Sequence, residues 1–214
     1  SNVASSDTPL RSPFDVAEMR AARGHPIADV PCPDPVPPVA DIEGVPFYTD
    51  AQRSVRDPAR VAEEMASRKP LDRFVEGLQA SVVRWIESDP AQPDAATCAL
   101  DWLDHWARAG AMLGEVNTQG GYDRKLTLAG AALAFLAIRD APGLDPVKVI
   151  RVTDWLVAVA NAVRPFYDKT PRPGPSPVEN NHAYWAGVAL GAVAIAANDR
   201  AMFDWAMQRA VIGL

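Results

Sequence analysis

The chain has 214 residues, of which 48% are hydrophobic and 22% charged, and its formal net charge is −6. This is enough apolar material for one globular domain with a sizeable core. The acidic balance argues against a nucleic-acid binder or a protein of the membrane surface, since both usually present a broad basic face. The most apolar run, 183–197, has 15 residues and falls short of the roughly 20 that span a bilayer.

Residues 1–57 contain nine prolines, several of them in the cluster 31–38. Proline lacks a backbone N–H, and its ring clashes with the preceding helical turn, so helix interiors exclude it. The sequence therefore predicts an extended N-terminal arm over residues 1–57, followed by a helical domain over residues 58–214.

From residue 58 onward, apolar residues recur at spacings of three and four, as they do on the buried face of a helix. Asp57, Asp123, Asp145 and Asp199 precede such runs and are suited to cap helix N-termini. The predicted helices are 58–68, 71–86, 94–110, 124–138, 146–166, one opened by 179–187, and one from 199 to the chain end. With no convincing alternating strand among them, the fold is predicted to be all-α, built from antiparallel helix hairpins in a curved, layered array.

Two links between these helices are long and polar or proline-rich, residues 115–122 and 168–178. Loops on one rim of a rigid scaffold commonly carry binding residues, so both links are predicted to border a functional site.

The stretch ENNHAYWAG at 179–187 follows the second link and opens an apolar helix. Free N–H groups and the helix dipole favour an anion at such a terminus. Asn181, His182, Tyr184 and Trp185 would supply an amide, an imidazole and an aromatic platform, a combination suited to a sugar acid. The alternative is a helix cap followed by a core histidine and core aromatics, and the pattern alone leaves both open.

The first link contains a second polar group, made of Asn117, Gln119 and the basic pair Arg124 and Lys125. Carboxamides donate and accept hydrogen bonds at once and so match sugar hydroxyls, which makes a sugar-binding loop one interpretation. A solvated connection between two helices is the other.

The two cysteines, Cys32 and Cys98, lack the spacing of a metal site, and the three histidines are scattered. The cysteines form either a disulfide in an oxidising compartment or two buried thiols. Asp101 and His105 lie four residues apart on one helical face, where they are expected to pair with each other rather than hold a metal.

Other enzyme classes find less support. No Gly-x-Ser-x-Gly motif is present, which disfavours a serine hydrolase. The acidic pairs Glu63/Glu64 and Asp101/Asp104 are expected on exposed or mixed helical faces, so a two-carboxylate glycosidase is a weak alternative. A non-catalytic glycan-binding module on the same scaffold is a further one.

Five blocks of sequence together resemble the mannuronate-specific alginate lyases, polysaccharide lyase family 5. In chain order they are CPDPVPPV at 32–39, CALDWLDHWARAGAM at 98–112, the segment 117–125, NNHAYWA at 180–186 and RAMFDWA at 200–206. Each block is modest evidence alone, whereas five in the same order cover most of the chain.

The resemblance implies an incomplete α/α toroid of paired helices, a lid region in the arm, and a deep cleft for an acidic polysaccharide. It implies a periplasmic or secreted protein that cleaves by β-elimination without a metal or other cofactor and carries a Cys32–Cys98 disulfide. No nucleic-acid or membrane partner is implied, and the oligomeric state stays open.

The resemblance also assigns roles to residues. Asn181 would help neutralise the substrate carboxylate, and His182 would act as base or as a charge-stabilising partner. Tyr184 and Trp185 would shape the cleft wall. The expected subsite contacts are Asn117, Gln119, Arg124 and Lys125.

The chain departs from the family pattern in two respects. An arginine and a tyrosine that complete the family's reaction belong to a segment beyond residue 214, so these residues are expected to be a C-terminally truncated piece of a toroid with little turnover by itself. The family's lid usually bears a lysine, whereas 47–57 here reads FYTDAQRSVRD, in which Arg53 or Arg56 would substitute. Polyglucuronate and hyaluronan-like chains therefore remain alternatives to polymannuronate.

Overall fold

The computed structural model describes residues 8–88, 94–168 and 181–212. Regular secondary structure in these residues consists of seven α-helices, which confirms the predicted all-α fold. They are α1 (Val16–Arg23), α2 (Pro58–Glu87), α3 (Asp94–Arg108), α4 (Thr118–Ile138), α5 (Pro146–Tyr167), α6 (Asn181–Ala197) and α7 (Arg200–Ile212).

Alternate helices pack into two layers. One layer holds α2, α4 and α6 side by side, and the other holds α3 and α5, while α7 packs on α6. The layers share a core that includes the stacked rings of Phe74 and Trp106, whose centroids lie 3.6 Å apart. Because successive helices alternate between layers, α4 and α6 begin at the same rim, which is also where α5 ends.

Four predicted helix starts are confirmed, three of them with their caps. Asp57, Asp145 and Asp199 each accept backbone N–H groups of the turn that follows. Proline directly after the first two fits, since the first helical residue has no intrahelical N–H bond to lose. The helix predicted from residue 94 is also present, as α3.

The prediction of separate helices at 58–68 and 71–86 is wrong, because α2 is continuous through Pro70. An interior proline costs about 3 kcal/mol. On its C-terminal side, however, Leu71, Phe74, Leu78 and Trp85 are all buried. Burying one such side chain is worth about 1.5–3 kcal/mol, so packing outweighs the lost hydrogen bond.

The start of α4 was also predicted wrongly. Asn117, not Asp123, is the N-cap: its Oδ1 accepts the Gly120 N–H at 2.7 Å. The helix therefore includes most of the segment predicted to be a loop, and Asp123 lies buried in its second turn. Gly120 allows this start, since a Cβ there would lie 1.9 Å from the Ile42 carbonyl oxygen of the arm.

The arm is extended over most of its length and lies against the helical body, although it also contains the short helix α1, which proline content did not reveal. Indole N–H groups of Trp102 and Trp106 donate to carbonyls of the proline cluster at 2.9 and 2.8 Å. The Cys32–Cys98 disulfide is present, as the family resemblance implied.

The second predicted link, 168–178, lies outside the described residues except for Asp168, which follows the last turn of α5. Among the described helices, none combines the length and the apolarity needed to cross a bilayer. The described residues also contain no group of three or more His, Cys, Asp or Glu side chains placed to hold a metal ion.

Candidate active site

Two predicted site residues, Lys125 and His182, meet Tyr167 where the first turns of α4 and α6 approach the last turn of α5. His182 is the second residue of α6, Lys125 lies in the second turn of α4, and Tyr167 ends α5. Two helix N-termini at one place contribute partial positive charge, which favours an anionic ligand.

The His182 imidazole is half-buried and held on two sides. The Tyr122 ring stacks on it with centroids 4.0 Å apart and planes 11° apart. On the other side, its Nδ1 lies 3.0 Å from Lys125 Nζ. Burial, the charge of Lys125 and that of Arg53 lower the pKa of His182 to about 4. The imidazole is therefore neutral near pH 7.

Lys125 is fully buried behind this histidine, with 0% of its surface exposed. Its Nζ lies 3.0 Å from the Tyr167 hydroxyl and 3.3 Å from the His182 carbonyl oxygen. Burial lowers the pKa of Lys125 to about 7, against the opposing charge of Asp123. In this structure Lys125 contacts neighbours within the core, and its predicted role as a subsite contact stays a prediction.

Tyr122 and Tyr167 are site residues that sequence reasoning missed. Tyr167 is 2% exposed, and burial together with Tyr122 raises the pKa of its hydroxyl. Tyr122 precedes Lys125 by three residues, a spacing that puts both on one helical face. That spacing was a usable signal, whereas Tyr167 reaches the site only through the packing of α5.

Arg124 lies beside this cluster and lines a cavity of about 270 Å³ with Asn117, Tyr122, Phe166 and Tyr167. Its Nη2 donates to the Ala162 carbonyl at 2.8 Å, and its buried Nε has no hydrogen-bond partner among the described residues. Burial lowers the pKa of Arg124. A cation with unused donor capacity beside a cavity is compatible with its predicted subsite role, which stays a prediction.

Asn117 and Gln119 serve the fold. Asn117 accepts the Gly44 N–H at 3.1 Å and donates to the Gly44 carbonyl at 2.8 Å, which fixes the arm to the start of α4. Gln119 donates to Glu64 of α2 at 2.8 Å. Their role as subsite contacts remains a prediction, and any such role would add to these bonds.

The start of α6 presents the remaining predicted residues. Asn181 is exposed at its first position, and Trp185 is 40% exposed. The Tyr184 and Trp185 rings meet edge to face with centroids 5.7 Å apart. Asn180 lies outside the described residues. An exposed amide, a half-buried imidazole and an exposed indole thus lie within five residues of one another in sequence.

Residues 47–57 fold into a hairpin-like turn, which we call the lid. Thr49 N–H bonds to the Val55 carbonyl at 3.0 Å, and the Asp50 carboxylate accepts two backbone N–H groups across the turn. From this turn Arg53 Nη1 reaches to 3.5 Å from the Tyr122 hydroxyl. The lid arginine therefore contacts the hydroxyl of the tyrosine whose ring stacks on His182.

The family model described as Alginate lyase matches residues 46–214. The chain belongs to the alginate lyase family. A polysaccharide lyase from Stenotrophomonas maltophilia is 34% identical over 177 residues, which are 81% of this chain and 51% of that protein. An alginate lyase from Azotobacter vinelandii is 30% identical over 166 residues, 75% of this chain and 43% of that protein. The chain spans about half the length of these relatives.

Solved structures support the architecture expected for an alginate lyase. A tetrasaccharide complex of alginate lyase A1-III superposes with a TM-score of 0.76 at 22% identity, covering 96% of this chain and 60% of that one. The A1-III enzyme from Sphingomonas species A1 gives 0.69 at 23% identity, covering 92% and 57%. At these identities the similarity shows the fold alone, an incomplete α/α toroid.

Each acidic pair has one buried member on a mixed helical face, while Glu63 is exposed and Asp101 is half-buried. Glu64 and Asp104 are each 4% exposed. Asp104 pairs with Arg151, and Asp101 pairs with Lys148 at 2.7 Å rather than with His105. Both ion pairs join α3 to α5, so they are committed to packing between helices.

Glu64 faces Asp123 across the junction of α2 and α4. Burial and the Glu64 carboxyl raise the pKa of Asp123 to about 7. Asp123 Oδ2 is buried without a hydrogen-bond partner among the described residues, and the raised pKa favours the protonated Asp123 carboxyl below about pH 7. Both carboxyls of this pair are buried under the arm, so they are not placed as an exposed acid and base for glycoside hydrolysis.

Proposed function

We propose that this protein acts on an anionic polyuronate, with polymannuronate as the preferred chain, and takes part in its cleavage by β-elimination. Membership of the alginate lyase family supports the reaction class. The observation that carries the residue assignment is His182, kept neutral and clamped between Tyr122 and Lys125 beside the exposed Asn181.

In β-elimination a base removes the C5 proton beside the uronate carboxylate, and the C4 oxygen departs as the double bond forms. An ionised carboxylate opposes the negative charge that develops next to it. Donors aimed at that carboxylate therefore bind the transition state more tightly than the ground state. Asn181 and His182, at the positive end of α6, are assigned this task.

The surroundings fit an acidic sugar chain. The arginines near the site are Arg53 in the lid and Arg124 beside the cavity, and Trp185 offers an apolar face on which a sugar ring stacks. Arg53 is proposed to take the place of the lid lysine expected from the family pattern. Since the chain is acidic overall, these two arginines make this rim a favourable place for an anionic polymer to bind.

We also propose a periplasmic or secreted location. The Cys32–Cys98 disulfide supports it, because such bonds persist mainly in oxidising compartments.

The decisive measurement is binding, since the chain spans about half the length of the relatives it matches. Calorimetric titration with a short mannuronate oligomer is expected to show binding that a neutral mannose oligomer does not reproduce. His182→Ala should weaken this binding roughly 10-fold or more, as expected for loss of a charge-assisted contact.

His105→Ala is the matched control, because His105 lies exposed on α3 away from the site, and it should leave affinity unchanged. Equal affinity of the His182 variant and wild type would refute the assignment, as would preference for the neutral oligomer. Glucuronate and hyaluronan oligomers in the same titration test the choice of chain. Any cleavage product must absorb as an unsaturated uronate, and saturated ends would show hydrolysis instead.

A further inference from the structure

The buried ammonium of Lys125 faces three hydrogen-bond acceptors. The Tyr167 hydroxyl and His182 Nδ1 lie at 3.0 Å, and the His182 carbonyl oxygen lies at 3.3 Å. An ammonium has three N–H donors and no acceptor. Its three donors are therefore matched by three groups, and the Tyr122 and Tyr167 rings, centred 5.1 and 5.4 Å from Nζ, add cation–π attraction.

This arrangement restricts where His182 carries its proton. A nitrogen that accepts from an ammonium cannot itself be protonated, so Nδ1 must hold its lone pair toward Lys125. In a neutral imidazole the single proton then lies on Nε2, across the ring from Lys125. The tautomer is thus dictated by a fully buried residue.

We propose that Lys125 is a positioning residue that fixes His182 as the Nε2–H tautomer and so orients it for the carboxylate contact assigned to it above. This inference rests on the proposed function for its consequence, although the tautomer is a property of the ligand-free chain.

Electrostatics agree with this reading. The charge of Lys125 disfavours a second proton on the imidazole, which keeps the ring a neutral donor. The same charge polarises the ring so that Nε2–H is a stronger donor to an anion. The other ionisable groups around the pair are Tyr122, Tyr167, Asp123 and Arg53.

The pH range for the test follows from these groups. Between a pKa of about 4 for His182 and about 7 for Lys125, the imidazole is neutral while the lysine is charged. Above that range an uncharged amine has a lone pair and no longer forbids a proton on Nδ1. The tautomer should therefore be most sharply defined near the middle of the range.

The experiment is long-range proton–nitrogen NMR on the 15N-labelled chain in that range. The sequence has only three histidines, and His182→Gln identifies the resonances of interest by their loss. We expect Nδ1 to resonate as an unprotonated nitrogen and Nε2 as a protonated one. Lys125→Met removes the donor at similar size and should produce a mixture of tautomers and a higher His182 pKa. Lys125→Arg keeps the charge and should largely restore the wild-type pattern.

Lys148→Met is the matched control, since this lysine pairs with Asp101 at the surface and should change neither measurement. Circular dichroism and thermal melts show whether each variant is folded. If Lys125→Met does not fold, the wild-type spectrum still decides, because a proton on Nδ1 there overturns the proposal. A Lys125→Met spectrum identical to wild type overturns it as well.

Binding separates this inference from the proposed function. Lys125→Met should lower the affinity for the mannuronate oligomer roughly 10- to 100-fold, whereas Lys125→Arg should bind it with an affinity close to that of wild type. If the spectrum shows the expected tautomer but added oligomer leaves the His182 resonances unchanged, the proposed function is refuted and the positioning role is not. Oligomer binding to a ring protonated on Nδ1 would refute the positioning role alone.

Discussion

Removal of the Cys32–Cys98 disulfide tests how the arm is held to the helical body. The bond joins residues separated by 66 positions and closes the later part of the arm and all of α2 into a loop. In the chain-entropy model a loop of that length is worth about 4 kcal/mol. For a domain of this size each kcal/mol corresponds to about 2–4 °C in Tm, so the double variant Cys32→Ala/Cys98→Ala should melt about 8–16 °C lower.

Thermal unfolding followed by circular dichroism measures this shift, with reduced and oxidised wild type as controls. Oligomer affinity should change less than about twofold, because the Trp102 and Trp106 indoles still hold the arm through its carbonyls. A Tm change below about 3 °C would refute the loop-closure reasoning. A large loss of affinity would show that the disulfide, rather than these indoles, keeps the lid over the site.

Two further predictions concern the contact of the arm with α4. Asp123 has a pKa of about 7 in the folded state, so the free energy of unfolding of wild type should fall by about 2 kcal/mol as the pH rises from 5 to 8. Asp123→Asn still donates to Glu64 and should show no such fall. Urea-unfolding profiles that change with pH in parallel for the two proteins would contradict this. Gly120→Ala drives a methyl into the Ile42 carbonyl and should cost about 1–3 kcal/mol, while its neighbour Gly121→Ala meets no atom within 4 Å and should be neutral or stabilising.

The sequence was most informative where one local rule decided the outcome. Asp–Pro pairs at 57–58 and 145–146 placed the starts of α2 and α5, since capping and the fixed proline φ act within one turn. It failed at Pro70 and Asp123, where contacts distant in sequence override the local rule. Core packing keeps α2 continuous at Pro70. The lack of a side chain at Gly120 leaves room for the arm beside the first turn of α4, which begins at Thr118.

The site shows the same division. His182 and Asn181 were identifiable because their polarity conflicts with the apolar helix that they open. The role of Lys125 was not, since a lysine after an arginine in a polar segment reads as a surface cation. Only the packing of α4 against α5 and α6 shows that its charge is directed at Tyr167 and at the back of the histidine.

Among the described residues Lys125 has no carboxylate as a close partner, and burying such a lysine is costly because desolvation disfavours the charged form. The fold offsets part of that cost with two oxygens, one imidazole nitrogen and two aromatic faces, and the pKa of Lys125 still falls to about 7. A residue needed only for packing would be better replaced by methionine. The charge is therefore best understood through its effect on His182: it places positive potential behind a neutral donor, at the rim where an anionic sugar is proposed to bind.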